Sequence, residues 1–389
     1  MNPRLLSDAV QDYIFGLAGE DPGKIALASS PFAGITSAEL AGQVAGRQKV
    51  RLKLPTWYAT RGIYYPPGLN LEQASSERTA RYKAGLVSGD RLIDLTCGLG
   101  VDTASFSGRF GSVNAFEQDA GLAEITRHNL AVLKVANTRV HAGDSLGGLN
   151  PAREQADWIY ADPSRRHAVK GRVIRLEDYG PDLPANLPLL FRVAPRILVK
   201  TAPMLDITAG RRSLDRIRTV HVVSVANDVK ELLWELGPDA GDEPEIRVVD
   251  LSRDDWPEFR FRPAEESGLT CPEGPLSGYL YEPSAAMLKA GAFHLAGVRF
   301  GLTKAHRHTH LYGSPECLAF PGRRFRIVDS QPYKPGKLPY RDGHVNVRNF
   351  PESVDTLRKR NRIKSGGDRY LFFYRDWNEQ LRVIAALPV

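Results

Sequence analysis

Cysteine is scarce in this chain of 389 residues: Cys97, Cys271 and Cys317 are the only three. They form no C-x-x-C pair and no even set, so they outline neither a disulfide framework nor a cysteine zinc site, which suits a reducing compartment. Long apolar runs are absent too, and without about eighteen consecutive apolar residues the chain offers no membrane-spanning helix. The opening MNPRLLSDAVQDYIF reads as an amphipathic helix and not as a signal peptide, so a cytoplasmic protein is expected. There is no internal repeat and no low-complexity tract. The length exceeds one ordinary domain and predicts two or three.

What is present is concentrated in Arg91 to Gly100, RLIDLTCGLG, an apolar strand that ends in Asp94 and runs into a Gly-x-Gly turn. Two glycines let the backbone turn sharply and approach a ligand without Cβ interference, and the helix that follows offers free N–H groups. A second strand, Ser112 to Phe116, ends in Glu117, at about the twenty-residue offset where an acid meets ribose hydroxyls. TRVHAGD ends in Asp144 and DWIYADP in Asp162 and Pro163. Ligands of open α/β sheets sit outside the carboxyl ends of the strands, so four strand-end acids predict one crevice. RILVK, Arg196 to Lys200, and RTVHVVSV, Arg218 to Val225, continue the rhythm, with a seventh strand expected over Glu245 to Leu251.

The order D-x-x-C-G-x-G, Glu117, Asp144, Asp162-Pro163 resembles a class I S-adenosylmethionine-dependent methyltransferase. NAD is the competing cofactor, but its fingerprint asks for a third glycine where this chain has Thr103. The resemblance implies a Rossmann-like, seven-stranded α/β domain. It also implies a cofactor set of Asp94, Thr96, Gly98, Gly100 and Asp102, with Glu117 on the ribose and Asp144 on the adenine amine. Asp162 and Pro163 are the expected catalytic pair.

Three parts are expected: a helical region over 1–85, with a helix from Leu71 to Leu86; the methyltransferase domain over 86–265; and an α+β unit over 277–389, reached through a Pro/Gly linker near Gly268 to Gly278. In the last unit YEPSAAMLKAGAFHLA has helix composition, while FRIVDS and YLFFYR read as strands. Before the first strand, Ser75 or Ser76 can cap a helix with Glu77 early in it. With Thr79 and Ala80, these residues also resemble the T-P-E-x-I-A element of trimethylguanosine synthases, which implies a helix closing over the cofactor.

Across nearly its whole length the chain resembles bacterial methyltransferases with a C-terminal THUMP-like domain. The matching blocks include LPTWYATRGIYYPP, LEQASSERTARYK, LIDLTCGLGVDT, ADPSRR, LVKTAPMLDI, YLYEPSAAMLKAGAF and FPESVDTLRKRNRIKSGGDRYLF. That resemblance implies a THUMP-like, ferredoxin-like α+β end and RNA, tRNA or rRNA, as the partner, because THUMP domains elsewhere bind RNA.

Enzymes that methylate exocyclic amines commonly carry Asp or Asn, Pro-Pro and an aromatic where this chain has Asp162, Pro163, Ser164, Arg165 and Arg166. The Asp162 carboxylate could accept from an amine, and Arg165 and Arg166 could hold a phosphate or the cofactor's carboxylate. The net charge of +7 is unevenly spread. Arg47, Lys49, Arg51, Lys53 and Arg61 surround Trp57 and Tyr58, a pattern suited to phosphate contact with base stacking, and Lys49, Arg51, Trp57 and Tyr58 are candidate substrate residues. LRKRNRIK supplies a second cluster, Arg358, Lys359, Arg360, Arg362 and Lys364; a solvated face is the alternative for either cluster.

Cys97 lies inside the cofactor turn and is expected to pack, not to act as a nucleophile. His306, His308 and His310 alternate in AHRHTHLY and would share one strand face; polar or phosphate-facing histidines are expected there, and no metal. The function expected is methylation of a base in structured RNA. Its alternatives are a small-molecule or protein acceptor, or a noncatalytic RNA-binding protein that retains the cofactor fold.

Overall fold

The computed structural model describes residues 1–165, 175–253 and 256–389, with Arg165 described by its backbone alone. It divides into two compact units, Met1–Arg218 with Leu233–Ala240, and Thr219–Leu232 with Gly241–Val389.

The first unit opens with helices α1 (Asp8–Gly16), α2 (Pro22–Leu27), α3 (Ser37–Val50) and α4 (Pro55–Ala59). A reciprocal cap starts α3. Thr36 Oγ1 accepts from the Glu39 amide at 3.2 Å and the Glu39 carboxylate accepts from the Thr36 amide at 2.8 Å, which satisfies two donors a helix start otherwise leaves open. Leu40 and Val44 then close over Leu5, Val10 and Ile14, each burial stabilising by about 1.5–3 kcal/mol. The helix expected over Leu71–Leu86 is two helices, α5 (Gly68–Gln73) and α6 (Glu77–Leu86). The break falls at Ser75 and Ser76 because Ser76 Oγ accepts from the Thr79 amide at 3.1 Å and restarts the helix.

Strands β1 (Gly89–Asp94), β2 (Phe110–Glu117), β3 (Thr138–Ala142), β4 (Trp158–Ala161) and β5 (Arg196–Thr201) are parallel, in the spatial order β3-β2-β1-β4-β5. Parallel neighbours need crossovers. Helices α7 (Val101–Ser107) and α8 (Ala120–Val132) supply the first two. β6 (Ile217–Val225) and β7 (Asp228–Leu236) follow as a hairpin turning on Ala226 and Asn227, both at positive φ, as a two-residue turn between twisted strands requires. The sheet order is therefore 3-2-1-4-5-7-6.

The seventh strand was expected at Glu245–Leu251, and the structure corrects this. Asp228–Leu236 is β7, and Glu245–Asp250 is a further strand, β8, parallel to β6. DVKELLWEL carries charges three to four apart and so reads as helix as easily as strand. Its Trp234 is fully buried, donates Nε1–H to Thr201 Oγ1 at 2.9 Å, and lies so close to Gly210 that a Cβ there would stand 2.3 Å from the ring.

The second unit pairs β8 with the short antiparallel β9 (Phe259–Phe261) and builds a separate seven-stranded sheet. Its strands are β10 (Tyr279–Pro283), β11 (Thr303–His306), β12 (Thr309–Ser314), β13 (Gly322–Pro332), β14 (His344–Arg348), β15 (Tyr370–Arg375) and β16 (Leu381–Pro388), ordered β11-β12-β10-β13-β16-β15-β14. Only β14 and β15 are parallel. The predicted helix after Pro283 is split at Gly291, φ +82°, into α9 (Ala285–Ala290) and α10 (Leu295–Arg299). A basic helix, α11 (Val354–Asn361), precedes the Gly366–Gly367 turn. His306 ends β11, His308 lies in the turn and His310 is on β12, so the expected single face of three histidines is a hairpin instead. No cluster among the described residues is suited to a metal ion. No described helix is long and apolar enough to cross a membrane.

Candidate functional site

The site grows from the turn after β1. Leu95 N donates to Tyr160 O at 2.9 Å and Cys97 N to Phe116 O at 2.8 Å, so the turn is stitched to the strands on both sides. Gly98 and Gly100 sit at φ +53° and +86°, backbone that a side chain resists. Their neighbourhoods differ. A Cβ on Gly100 would come within 2.7 Å of Thr126 Cγ2, whereas one on Gly98 would meet nothing nearer than Thr96 O at 4.0 Å. Gly100 is needed for packing against α8; Gly98 leaves space open above the turn.

The acid ending β2 completes this edge. Glu117 accepts from the Gly98 amide at 3.0 Å and from the Asp119 amide at 2.8 Å, which fixes a half-buried carboxylate beside the open face of the turn. Asp144 is exposed and caps the short helix Ser145–Gly148, accepting from Gly147 N at 3.1 Å.

Beneath the turn lies a charge network. Asp94 is fully buried; its oxygens accept from Thr96 N at 3.0 Å and from Thr103 Oγ1 at 2.6 Å. Burial pushes this carboxyl up to about 7, reinforced by Asp102 and Asp162 and opposed by the two hydrogen bonds. Asp102 is buried as well, yet its carboxyl is held below the usual range: burial acts upward, and Lys83, Lys200, Ser75 and Tyr160 outweigh it. The Lys83 ammonium is 3.1 Å from Asp102 Oδ1, while Ser75 Oγ and Tyr160 OH donate to Oδ2 at 2.7 and 2.8 Å. Ser75 thus ties the start of α6 to the first turn of α7, as Ser76 provides the cap.

Asp162 sits just beyond β4. Its amide donates to Thr96 Oγ1 at 2.6 Å and its Oδ2 accepts from Lys200 Nζ at the end of β5. Pro163 behind it is buried. Ser164 and Arg165 form a two-residue pairing with Tyr179 and Gly180, and Arg166 lies outside the described residues. Lys200 and Lys83 are the residues that sequence reasoning missed. A lysine inside an otherwise apolar strand, or in a helix that also buries Glu77, was the available signal.

The amino-terminal cluster does not come together as a basic surface. Trp57 is 3% exposed and packs with Val50, Leu54, Ile63 and Tyr65. Arg47 is buried between the rings of Phe15 and Tyr58, 3.8 and 4.0 Å from their centroids. Lys49 pairs with Glu72 and Arg61 with Asp12; Arg51 is exposed. In the second unit Lys359, Arg360, Arg362 and Lys364 are exposed, Arg360 pairing with Glu352 at 2.9 Å. Cys97 is buried, and burial with the charges of Asp94 and Glu117 raises its thiol well above the ordinary range, which leaves it inert.

Residues 279–321 match a ferredoxin-like domain and residues 322–387 a THUMP-like domain. Uncharacterized S-adenosylmethionine-dependent methyltransferases of Mycobacterium tuberculosis, from strains CDC 1551 and H37Rv, are 28% identical over 315 residues, covering 76% of this chain and 80% of theirs. A candidate methyltransferase of Porphyromonas gingivalis W83 has 29% identity and a TM-score of 0.89, covering 100% of this chain and 99% of that one. Sheet order, turn and full-length likeness define the class as an α/β methyltransferase fold with ferredoxin-like and THUMP-like domains after it. Over most of its length the chain is similar to these S-adenosylmethionine-dependent methyltransferases.

Proposed function

We propose that this protein transfers a methyl group from S-adenosylmethionine to a base of structured RNA, tRNA or rRNA. The observation that carries the cofactor assignment is the Gly98 amide held at 3.0 Å by Glu117, with open space where a Gly98 side chain would be. Bound there, the cofactor supplies a methyl group on a positively charged sulfur. Glu117 would take its ribose hydroxyls and the Gly98 to Gly100 backbone its methionine end, with Thr96 shaping the turn. Asp94 and Asp102, both buried, would hold the turn through Thr96, Thr103 and Ser75. Asp144 would serve the adenine amine from its position at the end of β3. A displacement that spreads an existing charge needs proximity and alignment more than a base, and Asp162 with Pro163 would supply that alignment.

RNA as the acceptor rests on the THUMP-like match and on the exposed cations Lys359, Arg362 and Lys364. Arg51 and Arg165 remain candidates for phosphate contact. Calorimetric titration of S-adenosylmethionine into the wild type and Glu117→Ala tests the cofactor half; micromolar binding lost in the variant is expected. Salt-dependent retention of RNA tests the other half, since a phosphate-driven complex weakens steeply between 50 and 200 mM salt, by roughly 10³ for six contacts. Retention indifferent to salt, or none at all, would turn the reading toward a small-molecule or protein acceptor.

A further inference from the structure

Resting on that reading, the geometry points to Lys200 as a positioning residue. It fixes Asp162 as a hydrogen-bond acceptor beside the cofactor turn, and the atom methylated is then a nitrogen that bears hydrogen.

Asp162 is held at two points. Its backbone amide is anchored on Thr96 Oγ1 at 2.6 Å, so the start of the loop moves with the cofactor turn. Its Oδ2 is taken by Lys200 Nζ from the neighbouring strand. Among the described residues its Oδ1 accepts no hydrogen bond, and its side chain is 31% exposed against 12% for Lys200. One oxygen is therefore clamped from the interior side, and the other remains to meet an incoming group. Asp102 has its own close partners in Lys83, Ser75 and Tyr160, and the hydrogen bond of Lys200 goes to Asp162.

A carboxylate paired with an ammonium has only acceptor oxygens to offer. Its partner must donate, so an amino group or a ring N–H fits it, and a carbonyl oxygen or an unactivated ring carbon does not. In the transfer the nitrogen lone pair forms the new N–C bond as the S–C bond breaks, and that electron pair stays on sulfur. The nitrogen then sheds one proton to solvent. Hydrogen bonding from the acceptor N–H to Asp162 Oδ1 would aim the lone pair, and a displacement of about 1 Å in such a contact can cost 10²-fold in rate. The same ion pair lies at the half-buried rim of the site, so turnover should depend on it more strongly than folding does. Rate and stability should therefore separate.

The test uses the full-length protein, S-adenosylmethionine labelled on its methyl group and RNA from a strain lacking the gene. Turnover, acceptor KM, cofactor affinity and melting temperature are compared for wild type, Lys200→Met, Lys200→Arg and Asp162→Asn, and the methylated nucleoside is identified by mass spectrometry. Expected are a fall of tenfold or more in kcat for Lys200→Met with cofactor affinity and melting temperature near wild type, substantial rescue by Lys200→Arg, and a methyl group on nitrogen. Wild-type kcat in Lys200→Met, or a methyl group on carbon or oxygen, overturns the inference. The product readout needs only wild-type enzyme and stands even if a variant does not fold. No transfer to RNA by wild type despite cofactor binding overturns the proposed RNA function first, and this inference with it.

Discussion

Gly98 donates its amide to Glu117 at 3.0 Å, so the acid that ends β2 fixes the turn that follows β1. The two residues are adjacent because β1 and β2 are parallel neighbours in register, with Asp94 opposite Ala115. The relationship separates the glycines experimentally. Gly98→Ala places a Cβ in open space at φ +53° and Gly100→Ala drives one into Thr126 at φ +86°. Gly98→Ala should fold with a loss of about 1–2 kcal/mol and lose at least tenfold in cofactor affinity; Gly100→Ala should lose more stability than that. Calorimetry and urea unfolding on both variants check the order.

Lys83 has no exposed side-chain surface and stands 3.1 Å from Asp102. Lys83→Met leaves a buried carboxylate without its ammonium, and breaking such a pair costs about 3–5 kcal/mol. Lys83→Met combined with Asp102→Asn should recover part of that loss, because no charge is left uncompensated. Urea unfolding of the single and double variants measures it.

The carboxyl of Asp94 gives stability a pH dependence of defined sign. Its ordinary value is 3.8 and the folded value about 7. Below pH 4 both states hold the proton; from about pH 4 to 7 only the folded state keeps it, so stability falls as pH rises, and above pH 7 the loss is complete. The melting-temperature advantage of wild type over Asp94→Asn should accordingly be larger at pH 5 than at pH 8. An equal or opposite difference would contradict the burial argument.

The exposed cations of the second unit make a prediction independent of the cofactor site. Replacing Lys359, Arg362 and Lys364 together by Ser should leave cofactor affinity unchanged. It should also lower the slope of log K against log salt for RNA by up to about 2–3, in proportion to the contacts removed. Filter binding over a salt series reads both affinity and slope.

Much of this architecture was legible in order and type. Four strand ends carry an acid, and strand order sets Glu117 on the amide of Gly98 in the glycine turn and the Asp162 amide on Thr96 of the same turn. β7 was not legible, because DVKELLWEL fits two periodicities; the Asn227–Asp228 pair marks its hairpin in hindsight. Trp57 and Arg47 read as a nucleic-acid surface since charge and aromatics alternate there, yet the fold uses them as core and as a stacked cation. Composition does not distinguish a buried guanidinium from an exposed one. Lys200 was hidden for a related reason: its partner lies 38 residues earlier, and only strand order brings β4 and β5 side by side.

The most direct test of the central claim is methyl transfer itself. Purified protein, S-adenosylmethionine labelled on its methyl group and total RNA from a strain lacking the gene are incubated, and portions are digested with ribonuclease or protease. Ribonuclease-sensitive label that disappears in Asp162→Ala is the predicted result. Label that survives ribonuclease and falls with protease, or no label despite measured cofactor binding, would contradict it.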